Sequence, residues 1–134
     1  MTYKEFLESK IELAQDSGFI VDPAKVSNAL KPHQRDAVAW ALKGGRRALF
    51  ESFGLGKTVQ EIEFCHLAAE HSGGRALIVL PLGVKQEFTH DAVEVLGYEK
   101  PEYCRTMEEV EQSASQIVLT NYERVRDGDI RPEY

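Results

Sequence analysis

Gly54-Leu55-Gly56-Lys57-Thr58 stands between a short apolar run, Arg47-Ala48-Leu49-Phe50, and a segment whose Val59, Ile62, Cys65, Ala68 and Ala69 recur at helical spacing. Strand, glycine turn, helix is the arrangement that a bulky, multiply charged anion needs. Glycine lets the backbone approach closely, because it has no Cβ. The first amides of the following helix have no partner inside it and point outward. Lys57 adds a mobile positive charge, and Thr58 adds a hydroxyl suited to Mg²⁺. Gly-x-Gly-Lys-Ser/Thr arises by chance in roughly one chain in a few hundred of this length. The competing reading is a tight turn before a helix, with an incidental lysine.

Downstream, Ala76-Leu77-Ile78-Val79-Leu80 is a continuous apolar run stopped by Pro81, the pattern of a strand buried on both faces. Val84, Phe88, Ala92, Val95 and Leu96 predict an amphipathic helix. A weaker strand is expected at Tyr103-Cys104, an acidic helix from Thr106 to Gln112, and another buried strand at Ile117-Val118-Leu119-Thr120. Upstream, Thr2 and Glu5 fit a capping box, with Phe6, Leu7, Ile11 and Ala14 on one helical face and Gly18 as a stop. Asp22-Pro23 predicts a second helical start. Pro32 opens a third, which runs through Gln34, Val38 and Leu42 to Gly44-Gly45. Strands alternating with helices predict an α/β fold with a parallel sheet, preceded by a helical N-terminal segment over 1–29.

The 134 residues are 43% apolar and 28% charged, an ordinary globular profile that argues against disorder. No run approaches the roughly 18 apolar residues of a spanning helix, and no secretory leader is visible, so no membrane partner and a cytoplasmic location are expected. Cys65 and Cys104 lack zinc spacing and read as reduced thiols; His33, His66, His71 and His90 form no ligand pattern. The net charge of -6 argues against a simple basic module on nucleic acid. Lys31, Arg35, Lys43, Arg46 and Arg47 nevertheless cluster, either against phosphate or as the solvated face of a helix.

The strict phosphate-loop pattern wants glycine where Glu51 stands. That departure, with Gly-Leu-Gly-Lys-Thr following, resembles superfamily-two helicases and translocases of the Swi/Snf and DEAD/DEAH-box type, and among them helicases of phages and mobile elements. Leu30-Lys31-Pro32-His33-Gln34 resembles the family's glutamine motif, Ala76 to Leu82 its motif Ia, and Leu119-Thr120-Asn121-Tyr122-Glu123 its motif Ib. The matches run in family order from Leu30 to Arg126.

The resemblance implies the N-terminal part of a RecA-like, ATP-binding domain over 30–134. Phe53, Gly54, Leu55, Gly56, Lys57 and Thr58 would hold ATP, with Thr58 on Mg²⁺, Lys57 and Thr58 serving catalysis, and Gln34 reading adenine. A carboxamide suits that task because it donates and accepts at once. Phe53 is unusual, since relatives favour a smaller residue there. Pro81, Leu82, Gly83, Lys85, Thr120 and Asn121 would contact nucleic acid, with DNA the expected partner, through strand ends and free amides at Gly83 and Val84. Thr120 and Asn121 read equally well as strand-end caps.

The Asp-Glu pair that ends a hydrophobic strand in this family does not occur among these residues. The chain is therefore expected to stop short of that strand, to lack turnover alone, and to expose sheet edges through which it self-associates. The implied activity is ATP hydrolysis coupled to movement on DNA or RNA. The alternatives are another phosphate-loop enzyme such as a nucleotide kinase, or a nucleotide- or DNA-binding module without turnover.

Overall fold

The computed structural model describes residues 2–12, 16–48 and 56–132. Helix α1 spans Tyr3–Glu12 and opens on the expected capping box: Thr2 N–H donates to Glu5 and Glu5 N–H donates to Thr2 Oγ1. Its Phe6 and Leu7 stay solvent-exposed rather than joining a core. Gly18 serves a different purpose from a helix stop. Ser17, Gly18 and Phe19 donate in turn to the carbonyls of Gly44, Lys43 and Leu42, and a Cβ on Gly18 would sit 1.7 Å from the Leu42 oxygen. Only glycine permits so close an approach.

Asp22 caps a 3₁₀ turn over Pro23–Lys25, and helix α2 runs from Pro32 to Gly44. Helix α3 covers Lys57–Ser72, starting at the glycine turn. Val21, Val26, Leu30, Val38, Leu42 and Leu67 close the space between α2 and α3. The predicted strand at Arg47–Phe50 is not seen at Arg47 and Ala48, while Leu49 and Phe50 lie outside the described residues.

Strands β1 (Ala76–Leu80), β2 (Glu102–Tyr103) and β3 (Ile117–Asn121) form an all-parallel sheet in the order β1-β3-β2. The fold is thus α/β, an open parallel sheet flanked by helices. Ala76 pairs with Ile117 and Leu80 with Asn121, while Glu102 pairs with Val118. β3 is central, and all five of its residues are buried. On one face Ile78, Leu80, Ile117 and Leu119 pack under Ile62, Phe88 and Ala92; on the other Val118 meets Cys104 and Ile130. Among the described residues, the second edge of β1 is unpaired.

The helix expected over Val84–Leu96 is broken into a 3₁₀ turn (Leu82–Val84), helix α4 (Lys85–His90) and a π turn (Asp91–Val95). Leu96 N–H reaches back to Asp91 O, and the wider turn rotates Val95 outward while Ala92 remains buried. Helix α5 is Met107–Gln112, with Thr106 as its capping hydroxyl, and α6 is Tyr122–Arg126. Among the described residues, no helix is long and apolar enough to cross a membrane.

Candidate nucleotide and nucleic-acid sites

Glu51, Phe53, Gly54 and Leu55 lie outside the described residues. The end of the glycine loop is described: Gly56 precedes α3 with φ 74° and ψ 41°, the left-handed region that favours glycine. Lys57 is exposed and Thr58 half-buried, both in the first turn of a 16-residue helix whose leading amides point away from it. Gln34, in the first turn of α2, is brought to the same place. Its Nε2 lies 2.4 Å from where a Cβ on Gly56 would be, so glycine makes room for the carboxamide. Gln34 Oε1 accepts from Lys31 N–H at 2.8 Å, which holds the side chain against its own helix start.

Beside this crevice, a cavity of about 410 Å³ runs along the unpaired edge of β1, lined by Lys57, Cys65, Leu77 and Val79 among others. The Cys65 thiol there is pushed up to about 12, by burial first and the nearby Glu61 second, so it stays protonated and inert. The basic stretch before the loop is largely engaged within the protein. Arg35 donates to Pro23 O and Val26 O, Arg47 pairs with Asp16 and lies over Trp40, and Lys43 also approaches Asp16.

A second concavity, of about 890 Å³, opens at the carboxyl ends of the strands, where open parallel sheets place their ligands. Of the residues expected to touch nucleic acid, it gathers Leu82, Lys85 and Asn121. Four cations line it, Lys85, Lys100, Arg105 and Arg124, against the carboxylates of Glu102 and Glu109. Those carboxylates are turned to other partners: Glu102 binds the Ser113 hydroxyl, and Glu109 accepts from Arg105 N–H at 2.6 Å. Lys85 Nζ sits 4.5 Å over the Tyr103 ring, and Tyr103 O–H donates to Asn121 Oδ1 at 2.8 Å. Arg124 is held by Asp129 at 3.1 Å. Lys100 and Arg105 are exposed and form no ion pair among the described residues.

The remaining expected contacts divide. Pro81, Leu82 and Gly83 are exposed at the end of β1. The Val84 amide is not free as expected, because it donates to Pro81 O at 3.1 Å. Thr120 is fully buried in the central strand, and its Oγ1 has no hydrogen-bond partner among the described residues. Asn121 uses its carboxamide on Tyr103 and Glu123. Sequence reasoning missed Lys100, Tyr103, Arg105 and Arg124. Their signal was position, since Lys100, Tyr103 and Arg105 lie in or beside the weak strand β2 and Arg124 lies in the helix that follows β3.

It also missed Glu63, which interrupts the apolar stripe of α3 between Ile62 and Leu67 and is fully buried. Among the described residues, no group of three or more His, Cys, Asp or Glu side chains is placed to hold a metal ion. Magnesium here would depend on the Thr58 hydroxyl together with the phosphates it arrives on, a donor set that fits its preference for oxygen. No family model matches the chain.

Proposed function

We propose that this chain is the ATP-binding segment of a nucleic-acid helicase or translocase, the N-terminal part of a RecA-like domain working in the cytoplasm of a bacterium or on behalf of a phage. The observation that supports it is the meeting of Gln34 with Gly56 at the start of α3, a carboxamide beside a glycine-led helix start, as joint recognition of a base and its phosphates would require. Lys57 holds the β- and γ-phosphates, and the first amides of α3 orient them. Thr58 would hold Mg²⁺, which would supply charge compensation for the phosphates. The basic groove at the strand ends supports a nucleic-acid partner, through Leu82, Lys85 and their newly assembled neighbours Lys100 and Arg105. The edge of β1 that is unpaired among the described residues is suited to accept further strands, from this polypeptide or from a second copy.

Titration of the chain with Mg-ATP tests the proposal. Binding is expected, and Lys57→Ala should weaken it by about 10- to 150-fold, the range for losing a charge-assisted contact. Equal affinity in the variant would remove the phosphate assignment. Binding of DNA with no nucleotide binding would favour the alternative, a module without turnover. A nucleotide kinase would instead show phosphoryl transfer to a nucleoside monophosphate with no response to DNA.

A further inference from the structure

Glu63 is a carboxylate with no exposed surface, and no cation pairs with it among the described residues. Burial of that kind is costly unless donors surround the charge. Two do: Ser27 N–H donates to Oε2 at 2.9 Å, and Tyr98 O–H donates to Oε1 at 2.5 Å. Tyr98 is itself stacked on His66 of the same helix, with ring centroids 3.9 Å apart.

The Ser27 bond continues toward the nucleotide crevice. Ser27 begins a tight turn, in which its Oγ accepts from Ala29 N–H and its carbonyl from Leu30 N–H. The turn delivers Lys31, whose N–H holds Gln34 Oε1. Gln34 in turn rests against Gly56, seven residues before Glu63 on the chain. The loop of contacts is closed, from α3 through the turn to α2 and back to the first residue before α3.

We infer that Glu63 is a positioning residue for base recognition: its bond to Ser27 sets the placement of Gln34 over the start of α3, and hence the preference for adenine. This rests on the nucleotide-binding proposal above, but the residue lies away from the phosphates and needs no contact with ligand.

The test measures the affinities of the chain for Mg-ATP and Mg-GTP, side by side. A carboxamide reading adenine on one edge should favour ATP by about 5- to 150-fold. Glu63→Gln keeps an acceptor for Ser27 N–H and should keep the preference. Glu63→Met removes the acceptor and should bring the two affinities within about twofold, while both remain sensitive to Lys57→Ala. Ser27→Pro removes the donor instead and should give the same result with no substitution in α3, and it carries the test if Glu63→Met does not fold. Val26 already has the extended backbone that a following proline requires. Ser27→Ala controls for the lost hydroxyl, and Tyr98→Phe for the other side of the carboxylate; both should retain the ATP preference.

Full ATP preference in Glu63→Met or Ser27→Pro would overturn the inference and leave the nucleotide-binding proposal standing. Binding of both nucleotides by the parent chain without preference would remove Gln34 as reader and this inference with it, sparing the phosphate assignment. Failure to bind either nucleotide would end both.

Discussion

Gly56 carries two constraints at one atom. Its positive φ costs a residue with a Cβ about 1–2 kcal/mol, and that Cβ would also collide with the Gln34 amide. Gly56→Ala is therefore expected to lower the thermal midpoint by roughly 3–10 °C and to weaken any discrimination between purine bases. A variant melting with the parent would show that the turn adopts another conformation in solution. Tyr98 is a second residue whose chemistry the fold alters. Burial, then the bond to Glu63 and that group's charge, hold its hydroxyl protonated well above the ordinary phenol value of about 10. A pKa raised on folding contributes stability that is complete below the unfolded value and is lost as pH climbs toward the folded one. Urea midpoints should accordingly fall from about pH 10 upward, and Tyr98→Phe should flatten that decline. An unchanged slope in the variant would mean that the hydroxyl is not buried against Glu63.

At the scale of elements, what the sequence makes legible is what one strong local pattern controls. Ile117 to Thr120 has no polar interruption, and it became the central strand because it can be covered on both faces. Leu119, fully buried at its middle, should cost about 2–5 kcal/mol on truncation to alanine, against much less for the half-buried Leu77 on the open strand β1. Chemical unfolding that ranks the two the other way would contradict the order β1-β3-β2. Helix α3 and the helical starts at Thr2, Asp22 and Pro32 were legible for the same local reason. The segment after Pro81 was not. Its spacing of three and four is met equally by an α-helix and by a helix with one π turn, and only the packing of Ala92 against the sheet decides between them. Gly18 was misread because the Leu42 carbonyl it packs against is 24 residues away and no local pattern announces it. Thr120 was expected to reach nucleic acid or to cap the strand end, yet pairing of β3 on both sides placed it inside.

For the whole molecule, charge is distributed in a way that the total conceals. The chain is acidic at -6, yet the concavity at the strand ends is lined by four cations, two of which form no ion pair among the described residues. A concave, low-dielectric surface focuses such a potential, so anions concentrate there in spite of the net charge. If a phosphodiester chain lies in it, each phosphate contact releases condensed counterions, and log affinity falls with log salt by about 0.9 per contact for duplex DNA and about 0.7 for a single strand. Lys100→Ala and Arg105→Ala should each reduce that slope by about one contact's worth, and the double substitution by about two. Lys43→Ala should leave the slope as it was, since that lysine sits on α2 beside Asp16, away from the groove. Fluorescence anisotropy with labelled oligonucleotides across a salt series reads all four chains. Equal slopes throughout would show that the groove does not carry the backbone, whatever affinity remained. A slope lost at Lys100 and Arg105 but kept at Lys43 would locate the nucleic-acid path at the carboxyl ends of the strands, on the side of the sheet edge formed by β2.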